Sequence, residues 1–197
     1  PQDGTDSETL IQHADYAMNE AKAAGGNACR LYRPVDRDAP VRKYKLELML
    51  RRAIERGELE LYYQPLINIA TGVVFGMETL LRWNASGIGK VPPAEFIPLA
   101  EESGLILTIG EWVLRQACRQ YMEWQRMGFP PLNLAVNISA KQFIDPNFID
   151  TVRDIVRETG IRPQSLCMEI TESVAMVQFS HIMETMGKLN ELGVQIS

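Results

Sequence analysis

The sequence predicts an α/β fold built on the parallel β/α barrel plan, and three observations carry that expectation. Apolar strand patterns alternate with amphipathic helix patterns through most of the chain, the order that lays parallel strands side by side under covering helices. Several of those strand patterns end in oxygen-bearing side chains, and β/α barrels place their functional groups at strand C-terminal ends. The 197 residues are 46% hydrophobic and 23% charged, which suits one packed core and argues against disorder.

The elements follow in order. Thr5-Asp6-Ser7-Glu8 has capping-box spacing, Leu10, Ala14, Ala17, Met18 and Ala21 form an apolar stripe, and Gly25-Gly26-Asn27 supplies the stop of a first helix. A short strand is expected at Cys29 to Tyr32, and Arg33 to Pro40 reads as a polar linker bracketed by prolines. One helix and one strand cannot bury a core, so residues 1 to 35 are expected to be the tail of an upstream domain, with 36 to 44 as linker.

From about residue 42, Leu46, Met49, Leu50, Ala53 and Ile54 mark a helix ending at Gly57. Strands are expected at Leu59 to Pro65, Val73 to Trp83, Leu132 to Ser139, Leu166 to Glu172 and from Val194 to Ser197. Helices are expected at Pro93 to Glu102, Leu107 to Met127, Phe148 to Thr159 and Phe179 to Leu192. A full barrel needs about 250 residues, so the chain is expected to stop mid-barrel, after about the first half.

Strand parity then selects the site. Strand side chains alternate between two faces, so Asn133, Ala135, Asn137 and Ser139 lie opposite the aliphatic even positions of their strand. Cys167 and Glu169 lie together in the next strand, and Gly76, Glu78 and Arg82 share a face of the second. Glu78, Asn137 and Glu169 thus bring oxygen donors to one place from three strands, which describes a site for a hard divalent cation.

Bulk charge narrows the partners. A net charge of -5 and a pI of 5.2 argue against a nucleic-acid-binding surface, so a phosphate ligand needs a local device such as Arg82 or a cation. Cys29, Cys118 and Cys167 form no C-x-x-C pair and fit reduced thiols of a cytoplasmic protein. No stretch reaches the roughly 20 apolar residues of a membrane span, although a longer parent could carry an anchor upstream.

Plainer roles compete for some residues. Arg82 could pair with Glu78 on the same face, and Gln64 could cap a strand end before Pro65. Ser86-Gly87-Ile88-Gly89-Lys90 lacks phosphate-loop spacing and reads as a glycine turn. His13 and His181 stand alone on helices, and Cys118 shares an apolar helix face with Val113, Leu114, Ala117, Tyr121 and Trp124.

Tyr62-Tyr63-Gln64-Pro65, Glu78-Thr79-Leu80-Leu81-Arg82-Trp83, Phe96-Ile97-Pro98-Leu99-Ala100-Glu101, Val136-Asn137-Ile138-Ser139 and Glu169-Ile170-Thr171-Glu172-Ser173, in that order, resemble the EAL phosphodiesterase domain. Ala14-Asp15-Tyr16-Ala17-Met18 with Ala21-Lys22 and Gly26-Asn27 resembles the C-terminal helix of a GGDEF diguanylate cyclase domain. The resemblance implies a modified TIM barrel that hydrolyses cyclic di-GMP to linear pGpG in bacterial signalling, with 45 to 197 as the N-terminal part of the EAL domain. It implies Mg²⁺ or Mn²⁺ held by Glu78, Asn137 and Glu169, Glu172 in support, and Gln64 and Arg82 on the dinucleotide. A homodimer through the EAL domain is also in keeping with it. Thr79 stands where the name motif has Ala. The family's paired Asp, its Lys and its later Glu are expected beyond Ser197, so this stretch alone is expected to be inactive. The alternative is an EAL-type receptor that binds cyclic di-GMP without cutting it.

Overall fold

The computed structural model describes residues 6–23, 29–32, 39–170 and 179–197. The chain divides into two compact units, Pro1–Leu46 and Glu47–Ser197.

In the first unit, helix α1 spans Ser7–Ala23. Asp6 is its cap: its Oδ1 accepts the Thr9 backbone N–H at 2.8 Å and its Oδ2 the Thr9 hydroxyl at 2.8 Å. His13 stacks on Tyr32 with ring centroids 3.7 Å apart. The strand expected at Cys29 to Tyr32 is not formed; the residues between α1 and Cys29, including Gly25-Gly26-Asn27, and residues 33–38 lie outside the described residues, while the rest of the expected linker, from Ala39 on, is helical. An isolated extended segment has no ladder to join, so periodicity alone was insufficient there.

Helix α2 covers Ala39–Leu50 and gives way before Gly57 to tight turns, with Arg52 and Ala53 donating N–H three residues back to Met49 and Leu50. The second unit is a sheet with helices packed on one face. Its strands are β1 (Leu59–Ile67), β2 (Val74–Ala85), β3 (Gly89–Val91), β4 (Asn133–Ile138), β5 (Leu166–Ile170) and β6 (Gln195–Ile196). The order is β1-β2-β4-β5-β6, with β3 paired to the far end of β2. The pairs β2/β4, β4/β5 and β5/β6 are parallel as expected.

β1 and β2 are antiparallel, which departs from the wholly parallel pattern. Only Asn68 to Val73 join them, too short for a crossover, and Asn68 closes the turn by accepting N–H groups of Ala70 and Thr71 on its Oδ1. The glycine turn at Ser86 to Ile88 likewise returns the chain as β3, a strand the sequence reading missed because three residues carry no periodicity.

Helices α3 (Pro93–Ser103), α4 (Leu105–Arg126), the single turn α5 (Ala140–Phe143), α6 (Phe148–Thr159) and α7 (Phe179–Glu191) complete the unit. Gly104, at φ 77°, separates α3 from α4, a conformation glycine adopts without strain. The core lies between sheet and helices: Trp83 meets Phe96 edge-to-face at 5.6 Å, and Leu134, Val136, Ile138, Leu166 and Met168 are all buried. Cys118 is fully buried in α4, and burial pushes its thiol up to about 12. Trp124, further along the same face, packs edge-to-face on Tyr63 at 4.7 Å.

Candidate functional site

The face of the sheet away from the helices carries the polar side chains that parity selects. Antiparallel register sets Gln64 opposite Glu78 and Glu60 opposite Arg82, so all four project from the same side. Parallel register sets Glu78 beside Ala135 and Asn137 beside Glu169. Aliphatic neighbours one residue away point the other way, which is why Leu134, Val136 and Met168 are buried while Asn137 is exposed and Glu78 and Glu169 are half-buried.

The three candidate ligands come together. The Asn137 side-chain amide donates to Glu78 Oε1 at 2.9 Å. Burial, and second to it the Glu78 carboxylate, hold the Glu169 carboxyl above its ordinary range. Neither Glu78 nor Glu169 has an ion-pair partner among the described residues. Two neighbouring carboxylates, beside an amide whose oxygen can turn inward, are a donor set that a hard divalent cation would complete. No three His, Cys, Asp or Glu side chains cluster for a metal among the described residues, because the third donor here is an amide.

Arg82 does not pair with Glu78. Its Nη1 donates to the Leu81 carbonyl at 2.9 Å, and its guanidinium carbon lies 5.6 Å from the Tyr62 ring centroid. Gln64 is exposed in mid-strand rather than capping an end, since β1 runs on through Pro65 to Ile67. Pro65 fits there because β1 is an outer strand of the sheet. Glu172, the supporting residue of the sequence reading, lies outside the described residues.

Thr79 is 3% exposed, and its hydroxyl lacks a hydrogen-bond partner. It points to the helix side, away from Glu78, as parity requires. It lines a cavity of about 290 Å³ with Leu80, Pro93, Ile109, Val113 and Asn137. Sequence reasoning missed this cavity because its walls come from three helices and two strands. It also missed the Ser139-x-x-Gln142 capping box, which was legible as Ser three residues before Gln directly after a strand.

Comparison with known proteins gives concordant findings. The EAL domain family model matches residues 47–197. The bifunctional diguanylate cyclase/cyclic di-GMP phosphodiesterase MucR of Pseudomonas aeruginosa is 40% identical over 200 residues, covering 100% of this chain and 29% of that protein. The oxygen sensor protein DosP of Escherichia coli is 37% identical over 194 residues, covering 98% of this chain and 24% of that protein. The chain thus spans less than a third of the length of these relatives. Among solved structures, the MucR phosphodiesterase in complex with c-di-GMP superposes with a TM-score of 0.74 at 41% identity, over 77% of this chain and 62% of that one.

Proposed function

The chain belongs to the EAL-domain family, and from that premise we propose that its parent protein hydrolyses cyclic di-GMP to linear pGpG, with Mg²⁺ or Mn²⁺ held by Glu78, Asn137 and Glu169. The observation that carries the reading is the convergence of two carboxylates and one amide from three neighbouring strands, with Asn137 bonded to Glu78 at 2.9 Å. When bound, a divalent cation supplies positive charge that polarises a phosphate oxygen and acidifies water.

The chain's own groups bind and orient the substrate. Arg82 offers a planar fork of donors to phosphate oxygens and needs to give up only one carbonyl contact to do so. Gln64, opposite Glu78, presents a donor and an acceptor that suit a guanine edge. Glu172 takes the supporting role that the family resemblance implies.

The same reading takes 45 to 197 as the N-terminal part of the EAL domain, 36 to 44 as linker and 1 to 35 as the C-terminal end of a GGDEF domain. The division between Leu46 and Glu47, and a family match beginning at residue 47, support that boundary. The test is Glu78→Gln in the intact parent, with pGpG followed by chromatography in the presence of Mg²⁺. We expect turnover to fall by on the order of 100-fold or more, since loss even of an outer-shell partner costs 10–100-fold. Full activity in that variant would remove Glu78 from the site. Tight binding of cyclic di-GMP by the unaltered parent without product would select the receptor instead.

A further inference from the structure

We propose that Gln142 is a positioning residue for Asn137: seated against Gly110 of α4, its side-chain amide locks the end of β4 from which Asn137 reaches Glu78. For its consequence at a metal this rests on the reading of Asn137 as a ligand, while the positioning itself does not.

Asn137 is exposed and lies one residue from the end of β4, where ladder hydrogen bonds run out. Something must hold the backbone there if its amide is to stay 2.9 Å from Glu78. The chain leaves β4 through Ser139, the cap of α5. Gln142 Oε1 accepts the Ser139 backbone N–H at 3.2 Å and the Ser139 hydroxyl at 3.1 Å, and the Gln142 backbone N–H donates to Ser139 Oγ at 3.3 Å. Two bonds thus tie the residue two beyond Asn137 to the Gln142 side chain, and a third ties it to the Gln142 backbone.

That side chain is itself immobilised. Gln142 is 4% exposed, and its Nε2 lies 1.9 Å from where a Cβ on Gly110 would stand. Glycine at 110 opens a notch in α4 that the amide fills, and any larger residue would expel it. Beside the notch, Ile109 is 2% exposed, so α4 is anchored in the core at that turn. Lys141 Nζ also donates to the Glu101 carbonyl of α3, a second tie from α5 to the helical layer. A four-residue helix has too few internal bonds to justify such anchoring for its own sake. What it does secure is the strand end between two helices and a candidate ligand.

The rival account is an ordinary helix cap, whose loss costs about 1 kcal/mol and leaves Asn137 in place. The two accounts separate in the metal-free 197-residue chain, by NMR of the Asn137 side-chain NH₂, assigned by its disappearance in Asn137→Asp. Gln142→Met keeps the volume without the acceptor, and Gln142→Glu keeps the acceptor. We expect Gln142→Met to move the Asn137 signal to where Glu78→Ala puts it, Gly110→Ala to do the same by expelling the amide, and Gln142→Glu to hold it near the original position. Mn²⁺ affinity should fall 10–100-fold in the first two and be kept in the third. An Asn137 signal unmoved in Gln142→Met, with only a lower Tm, would overturn the inference. If the unaltered chain binds no Mn²⁺ while the signal moves as expected, the ligand reading fails and the positioning stands.

Discussion

Two glutamates of the same hairpin region, Glu58 and Glu78, have opposite surroundings. Glu58 is 8% exposed, yet Trp83 Nε1 donates to its Oε2 at 3.2 Å, the Ser86 N–H to its Oε1 at 3.3 Å, and Arg56 stands 3.9 Å away. Glu78 is more open and worse served, with one amide donor and a second carboxylate, Glu169, for company. Burial by itself therefore does not mark function. The carboxylate that joins two strands to a turn is satisfied by donors, whereas the one on the open face of the sheet is short of positive charge.

The contrast predicts opposite costs on deletion. Glu58→Ala strips the partner from two donors, one of them the indole of a buried Trp, and should cost about 3 kcal/mol. Glu78→Ala in the metal-free chain should cost less than about 1 kcal/mol, because little compensates its charge. Urea unfolding of both variants checks this, and equal losses would break the comparison.

The neighbour of Glu78 sharpens it. Thr79 buries a hydroxyl without a partner, on the helix side of β2. Thr79→Val keeps the shape and removes the orphan group, so it should gain about 1 kcal/mol while leaving metal affinity unchanged. A loss of stability would show that the cavity holds a water bonded to that hydroxyl. Glu169→Gln comes next in size. Removing one of two facing carboxylates should stabilise the metal-free chain by about half a kcal/mol once solvent screening is allowed for. The proposed metal site predicts that Mn²⁺ raises the Tm of the unaltered chain and that this variant loses that rise. Differential scanning calorimetry with and without Mn²⁺ reads both.

Parity explains how much of the site was readable beforehand. Period two is fixed by backbone geometry, so Glu78, Asn137 and Glu169 could be placed on one face once their strands were found, and the parallel register did the rest. Helix α6 has its expected bounds because Phe148, Val152 and Ile155 keep strict helical spacing and Gly160 stops it. The antiparallel β1/β2 pair was missed because alternation is the same in either direction, and only the length of the Asn68 turn decides. Tertiary fits such as Gln142 in the notch at Gly110 have no local period and became visible only with both elements packed.

The weakest expected effect lies on the far side of the helices and marks the other limit of the comparison. Glu158 of α6 is exposed and binds Arg119 and, at 3.0 Å, Arg115 of α4. Those guanidinium groups, Arg119 first, hold its carboxyl below the ordinary range. A depressed folded-state value means that the stabilisation is present above the unfolded carboxylate range and is lost as pH falls through the folded value. Glu158→Gln should therefore lower Tm slightly at pH 7, and the difference from the unaltered chain should close towards pH 3. It should also close in about 1 M salt, where the screening length falls to about 3 Å. Glu58→Ala should keep most of its penalty in that salt, because its hydrogen-bond donors are neutral N–H groups and only the long contact with Arg56, at 3.9 Å, is an ion pair. A salt response of equal size in both variants would mean that the two carboxylates are held by the same exposed electrostatics, and that donor satisfaction does not distinguish them.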